Sequence, residues 1–176
     1  MQSRAALDRA LTLIEQLMHA DDIAVSLVVA GERCVQTLST HDGDPTGERF
    51  CFDDYPTTER VVLEQTLGQV LEGDSAADPA ELAVMRKSGF GAVLLAPIVF
   101  RGETTGLLEI YRRTARPWNG IEVDQVRMLA NQLSAVLSGP GLAAAEPGFV
   151  ADTQASSAAE GAVVPEARRS GGGVIL

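Results

Sequence analysis

The sequence predicts an α+β fold in which a central antiparallel sheet of about five or six strands carries helices at both chain ends. Three observations lead to this prediction. Long amphipathic segments open and close the region 4–138, apolar and β-branched runs cluster between them, and turn residues separate neighbouring runs by a few positions. Clustered strands with short connections favour antiparallel pairing and disfavour a doubly wound fold.

The first predicted element is a helix over residues 4–19, followed by a hairpin. The apolar residues of the helix recur at the spacing of one helical face: Leu7, Ala10, Leu11, Ile14, Leu17 and Met18. Residues 23–29 are rich in β-branched side chains and predict a buried strand. Gly31 then supplies a turn into a second strand over 33–40.

The middle of the region is irregular. Residues 41–47 are rich in Asp, Gly and Pro, which favour turns, and predict a loop; residues 50–52 predict a short extended segment. Pro56 opens a helix whose apolar side includes Val61, Val62 and Leu67.

A further helix is predicted by its end signals. Asp78 is expected to cap the N-terminus with its side chain, Pro79 suits the first helical position, and Gly89 is a natural stop.

A second hairpin and a long helix complete the domain. Residues 91–100 and 104–111 predict buried strands on either side of a short turn. Asn119 and Glu122 have the spacing of a capping box at the start of the last helix. Its apolar stripe needs the sheet or a partner to cover it: Val126, Leu129, Ala130, Leu133, Val136 and Leu137.

Composition changes after Ser138. Residues 139–176 are mainly Ala, Gly, Ser, Pro and Glu, which bury too little apolar surface to offset the entropy of ordering the backbone. We therefore expect one domain over 4–138 and a disordered linker or tail over 139–176.

Charge and composition exclude several classes of function. The 176 residues carry a net charge of −10, and no basic cluster exceeds a pair such as Arg112-Arg113, so direct binding of nucleic acid or of an anionic membrane is not expected. The longest apolar run, 92–100, is shorter than the ~20 residues that cross a bilayer. The first residues lack the apolar core of a signal peptide, so a cytoplasmic location is expected.

The two cysteines, Cys34 and Cys51, are too few for a disulfide framework or a zinc site. We expect both to be reduced thiols and expect no metal site. Asp42 and Asp44 with Asp53 and Asp54 lack the spacing of a calcium loop and predict a solvated acidic segment instead.

Several short motifs in the second half of the chain occur in a familiar order. They are Ala96-Pro97-Ile98, Arg101-Gly102, the run from Gly106 to Tyr111, Arg116-Pro117-Trp118 and Glu122. In this order they resemble the C-terminal half of GAF domains, and the segments 52–56 and 78–82 look like a bacterial subset of that family. The resemblance covers about residues 4–138. It implies a GAF/PAS-like sheet with the first and last helices on one face and a small-molecule pocket under the irregular middle on the other.

The resemblance implies a non-enzymatic signalling domain that binds a small molecule or a partner and whose terminal helices transmit the signal to an output domain or partner protein. The cysteine motif of bilin-binding members and the signature of cyclic-nucleotide-binding members are absent. His19 and His41 are interpreted as surface residues, with His41 the residual candidate for a heme ligand. The ligand and any cofactor are left unidentified.

Two alternatives remain open. The first is a cysteine-dependent reductase of free methionine sulfoxide, for which Cys51 is the better nucleophile, although Asp53 and Asp54 would raise its pKa. The second is a ligand-free dimerisation module. A homodimer through the terminal helices is expected, because Leu13 and Met128 lie off the main apolar stripes and offer a second surface. The alternative is a monomer in which the two helices lie side by side on their own sheet.

Strand alternation suggests a floor for the implied pocket. It places Leu107, Glu109 and Tyr111 on one face of their strand, and Ser26 on the roomier face of the first strand. The family arrangement would set these strands side by side. The candidate ligand-binding residues are Ser26, Cys51, Tyr55, Leu82, Met85, Arg86, Glu109 and Tyr111. A buried Glu109 would have to be paired or neutralised, by Arg86 or by a cationic ligand group; the alternative is that Glu109 points to water.

Overall fold

A computed structural model describes residues 2–40 and 47–138 of the chain. The helices in these ranges are α1 (Gln2–Met18), α2 (Pro56–Glu64), α3 (Pro79–Ser88) and α4 (Gly120–Leu137). The strands are β1 (Asp22–Val28), β2 (Cys34–Thr40), β3 (Arg49–Cys51), β4 (Gly68–Leu71), β5 (Ala92–Phe100) and β6 (Glu103–Arg112). The tail predicted for 139–176 and the loop containing His41, Asp42 and Asp44 lie outside the described residues.

The six strands form one antiparallel sheet in the order β3-β2-β1-β6-β5-β4. The two predicted hairpins, β1-β2 and β5-β6, meet where β1 pairs with β6, so the long strands lie in the centre and the short strands β3 and β4 form the edges. The predicted α+β class and the antiparallel sheet are confirmed.

The terminal helices cover one face of the sheet. The odd-numbered residues of β1 and the even-numbered residues of β5 and β6 supply the sheet side of this core, and α1 and α4 supply the other. Its fully buried members include Leu11, Ile23, Leu94, Leu108 and Leu133. Each such side chain contributes roughly 1.5–3 kcal/mol of transfer free energy. The sheet therefore covers the predicted apolar stripes of both helices, with one correction: Leu17, predicted as part of the α1 stripe, is 64% exposed.

A second core lies on the opposite face, under α2 and α3. It joins Val61 of α2 and Met85 of α3 to Val93, Leu95 and Leu107 of the central strands. Because β5 is buried on both faces, its sequence is a continuous apolar run instead of an alternating one.

The helix ends agree with the sequence in two cases. Asn119 accepts hydrogen bonds from the N–H groups of Ile121 and Glu122, and the Glu122 carboxylate accepts one from the N–H of Asn119, which completes the capping box. Gly89 ends α3 with a φ of 75°, a left-handed conformation that glycine adopts without steric penalty.

The prediction for Asp78 is wrong in detail. Its carboxylate makes no hydrogen bond to α3. It accepts instead from the N–H of Thr57 at 2.8 Å and from the Thr57 hydroxyl at 3.0 Å. Asp78 therefore caps the first turn of α2 from the start of α3, a contact between segments that local sequence spacing does not reveal.

Strand β4 was not predicted. The helix α2 ends at Glu64, before Leu67, and Gln65 follows with a φ of 54°. Residues 68–71 then pair with the free edge of β5, so tertiary pairing decides the structure of this segment. Gly68 allows α2 to pack against it, since a Cβ there would lie 2.7 Å from the Val61 side chain.

None of the helices in the described ranges has the length and apolar character that a bilayer-crossing segment requires.

Candidate ligand-binding site

Three polar side chains from β1 and β6 meet on the face of the sheet that α2 and α3 cover. The register pairs Ala24 with Glu109 and Ser26 with Leu107, which brings Ser26 beside Glu109. The Ser26 hydroxyl donates to Glu109 Oε1 at 2.5 Å, and the Tyr111 hydroxyl donates to Glu109 Oε2 at 2.7 Å. Each carboxylate oxygen of Glu109 therefore has a hydroxyl donor.

The local backbone helps to position Ser26. The pairing of β1 with β2 is interrupted by a β-bulge between Val25 and Ser26, beyond which Ser26 faces Thr37. Bulges often redirect side chains next to functional sites. On the other side of Ser26, a Cβ at Gly106 would lie 2.6 Å from the Ser26 carbonyl oxygen, so glycine permits the close approach of β6.

Burial dominates the protonation of this cluster. It raises the pKa of Glu109, although the hydrogen bonds from Ser26 and Tyr111 act in the opposite direction. Burial also raises the pKa of the Tyr111 hydroxyl well above its usual value, and the neighbouring Glu109 carboxylate adds to that effect. Tyr111 therefore remains a neutral donor over the ordinary pH range.

A second carboxyl, that of Glu81, approaches from α3. Glu81 is 6% exposed. Within the described ranges, no group donates a hydrogen bond to its side chain. Burial, the charge of Glu109 and the charge of Asp78 raise the pKa of Glu81 to about 8. At neutral pH this carboxyl is therefore mostly protonated.

A small cavity lies between the sheet and the segments that cover this face, and both carboxyls line it. Its volume is about 20 Å³, which is room for about one water molecule. The lining residues are Val35, Phe50, Tyr55, Thr58, Glu81, Val84, Leu107, Glu109 and Tyr111. Aromatic contacts stabilise the residues around the cavity. The ring centroids of Phe50 and Tyr55 lie 5.3 Å apart in an edge-to-face arrangement, and those of Phe90 and Tyr111 lie 5.0 Å apart. The result is an acidic cavity between aromatic rings.

The GAF domain family model matches residues 3–137. The chain belongs to the GAF family. Solved structures agree with the fold. The GAF domain/HD domain protein from Geobacter sulfurreducens is 18% identical, with a TM-score of 0.64 over 77% of this chain and 92% of that chain. The PixJ GAF domain of Thermosynechococcus elongatus is 19% identical, with a TM-score of 0.63 over 77% and 84% of the two chains.

A third GAF domain, from a two-component sensor histidine kinase of Bacillus halodurans, is 14% identical with a TM-score of 0.62. It covers 74% of this chain and 92% of that one. Comparison with functionally curated proteins found no match. At these identities the similarity establishes the GAF fold alone.

The structure brings three of the eight sequence-predicted residues of this GAF domain to the cavity and a fourth next to it. Tyr55, Glu109 and Tyr111 line it, and Ser26 lies behind Glu109. Met85 is fully buried in the core beneath α3, and Leu82 packs against that core. Neither residue is among those lining the cavity.

The expected contact between Arg86 and Glu109 is absent. The Arg86 side chain is exposed and pairs with Glu72 at 3.3 Å. The physical reason is its position on α3: the turn of the helix that directs Met85 into the core directs Arg86 outward. The alternative in which Glu109 points to water is also wrong, since Glu109 is hydrogen-bonded on the covered face.

The prediction of reduced thiols is also corrected. Cys34 of β2 and Cys51 of β3 stand directly opposite each other, with Cα atoms 4.1 Å apart, and form a disulfide. Cys51 is exposed and does not line the cavity. The register of two strands separated by a loop produces this pairing, and the spacing of the cysteines in the sequence carries no sign of it.

Sequence reasoning missed Glu81, the most informative side chain of the site. Glu81 lies in the first turn of α3, where acidic residues are common, so its position in the sequence gives no sign of the cavity. No group of three or more metal-ligating side chains occurs in the part of the chain that the structure describes.

Proposed function

We propose that this GAF domain is a non-enzymatic sensory module that binds a small molecule in the acidic cavity and regulates an output through its terminal helices. The observation that carries the proposal is the unpartnered, buried Glu81 beside the hydrogen-bonded Glu109. Two carboxyl groups with raised pKa values that line one cavity favour a function for that cavity. Similar solved structures include the GAF domain of a sensor histidine kinase and residues 122 to 287 of a methyl-accepting chemotaxis protein, which supports a signalling role.

The covering helices give the cavity a means of responding to a ligand. Its volume accommodates about one water molecule, so a larger ligand has to displace α2, α3 or the segment around Tyr55. The central strands carry the cavity on one face and the terminal helices on the other. A shift at Glu109 therefore reaches α1 and α4 through a single layer of backbone.

Substitution of Glu109 by glutamine tests the site. Native mass spectrometry of the purified protein identifies a co-purified small molecule, and thermal unfolding measures the stabilisation that this molecule gives. We expect Glu109→Gln to fold normally and to lose the ligand-dependent rise in Tm, since shape is kept and charge is removed. Glu103→Gln is the matched control, because Glu103 lies on the same strand and is exposed. A Glu109→Gln variant that responds like the wild type would show that the cavity is not the ligand site.

Homodimerisation through the terminal helices is the second part of the proposal. Four large apolar side chains on these helices are at least half exposed: Leu13, Leu17, Ile121 and Met128. Leu13 and Leu17 are one helical turn apart on α1, and Ile121 and Met128 are two turns apart on α4. The burial of α1 and α4 against the sheet leaves these side chains for another surface, and a second copy provides a self-complementary one.

We expect a dimer for the wild type and a monomer for the double variant Leu13→Gln with Met128→Gln. Light scattering over a range of concentrations measures both. Leu63→Gln serves as control, since Leu63 is 69% exposed on α2, on the opposite side of the sheet. A wild-type protein that is monomeric at every concentration would end this idea and with it the proposed route of output.

Cys51, the candidate nucleophile of the reductase alternative, forms a disulfide with Cys34 and does not line the cavity, which favours the non-enzymatic assignment. An assay for turnover of free methionine sulfoxide checks it, and catalysis would restore the reductase alternative. A cytoplasmic location stays part of the proposal. The Cys34–Cys51 disulfide is an observation against it, since such bonds are rare in the cytosol.

A further inference from the structure

The cavity carries acidic groups without basic ones. Glu81 faces it from α3, Glu109 and the Tyr111 hydroxyl from β6, and the Tyr55 hydroxyl from the segment before α2. Further acids act on this group from the surrounding elements: Asp78 before α3, Asp22 of β1, Asp54 before α2 and Glu48 before β3. The described residues that line the cavity include no lysine or arginine. The charge of an occupant is therefore expected to be positive.

Hydrogen bonding points to an occupant that donates. The carboxylate oxygens of Glu109 already accept hydrogen bonds from the hydroxyls of Ser26 and Tyr111. The carboxyl of Glu81 accepts no hydrogen bond from the described residues, although only 6% of this residue is exposed. Once ionised, a carboxylate only accepts hydrogen bonds, so an occupant with several donors satisfies the ionised form of Glu81.

The size of the cavity narrows the class of cation. A volume of about 20 Å³ accommodates one water-sized group, which an ammonium head group resembles while offering three N–H donors. A quaternary ammonium group is too large. A divalent metal ion is disfavoured because no set of three or more acidic, histidine or cysteine ligands exists in the described ranges. The rings of Phe50, Tyr55 and Tyr111 line the same space and favour a cation further.

We propose that this cavity binds the primary ammonium group of a small organic amine, held between the carboxylates of Glu81 and Glu109. The inference rests on the proposed function and specifies the class of its ligand. The head group occupies the cavity, and the rest of the molecule extends toward the segment that carries Phe50 and Tyr55.

Proton linkage gives the proposal a distinct signature. The pKa of Glu81 lies at about 8 in the free protein, and a neighbouring ammonium charge lowers it. Binding at neutral pH therefore releases a proton from Glu81. The affinity rises as pH increases toward about 8, by up to about tenfold per unit, and levels off above that pH while the amine stays charged.

Thermal unfolding of the full chain with methylammonium and n-butylammonium chloride tests the inference. Sodium chloride and tetramethylammonium chloride at equal ionic strength are the reference salts. We expect the primary amines alone to raise the wild-type Tm, by about 5 °C at a tenfold excess over Kd. The rise at a fixed amine concentration should be larger at about pH 8.5 than at about pH 6.5. Calorimetry in two buffers of different ionisation enthalpy should show proton release near neutral pH.

Glu81→Gln separates binding from folding. Without ligand, this variant should be more stable than the wild type at about pH 8.5. The sign follows from the raised pKa of Glu81, because wild-type stability falls as pH rises from the unfolded value of 4.5 through about 8. The variant should nevertheless lose the response to amines. Glu64→Gln, an exposed change on α2, should keep it.

Each outcome has a definite meaning. Equal responses of Glu81→Gln and the wild type, an absence of proton release, or a larger effect of Mg²⁺ or Ca²⁺ would each overturn the amine assignment. If a neutral or anionic compound stabilises the protein in a Glu109-dependent way and amines do not, the amine inference fails while the proposed function stands. If no ligand response depends on Glu109, the proposed function fails as well.

Discussion

Replacing Leu108 by alanine is expected to lower the free energy of unfolding by about 2–5 kcal/mol. Leu108 is fully buried at the centre of β6, between β1 and β5 and beneath the terminal helices. The lost side chain leaves a cavity at a place where strands on both sides and helices above prevent collapse. Urea unfolding followed by circular dichroism measures the change.

The control for this substitution is Leu63→Ala. The side chain of Leu63 is 69% exposed on α2, so its truncation should change stability by no more than about 0.5 kcal/mol. Equal effects of the two substitutions would mean that Leu108 does not occupy the core of the sheet.

Reduction of the Cys34–Cys51 disulfide is expected to destabilise the domain by about 3 kcal/mol. The bond closes a loop with a sequence separation of 17 residues, and its loss restores the conformational freedom of that loop in the unfolded chain. Urea unfolding with and without a thiol reductant measures the difference.

The double variant Cys34→Ala with Cys51→Ala should unfold at the same urea concentration in both buffers. The pairing of β2 with β3 would be contradicted if the reductant left the urea midpoint of the wild type unchanged. Detection of two free thiols in the wild type before reduction would contradict it as well. The same measurement reports on the wall of the cavity, since Phe50 lies in β3 next to Cys51.

Local and periodic signals in the sequence predicted most of the fold. The apolar stripes of α1 and α4 gave both helices their buried face, and the alternation in β6 assigned Leu108 and Glu109 to opposite sides of the sheet. These predictions succeeded because side-chain direction repeats with a fixed period in helices and strands. The capping box at Asn119 succeeded because all its contacts lie within four residues.

The features that the sequence did not predict depend on contacts between distant segments. The strand β4 forms because β5 offers it an edge, and Cys34 meets Cys51 because β3 pairs with β2. Glu81 occupies the first turn of a helix, where acids are common, yet packing of α3 over the sheet places it at the same cavity as Glu109. The residues next to β4, the two cysteines and Glu81 in the sequence carry no pattern that predicts this burial or this pairing with distant segments.

The Asp78 carboxylate has a consequence for how the cavity opens. It holds the N–H and hydroxyl of Thr57, in the first turn of α2, while it stands three residues before Glu81 at the start of α3. Separation of either helix from the other breaks these bonds and leaves a buried carboxylate without its donors. We therefore expect the cavity to open in one cooperative step in which α2 and α3 leave the sheet together, with a single opening free energy for the amide protons of both helices.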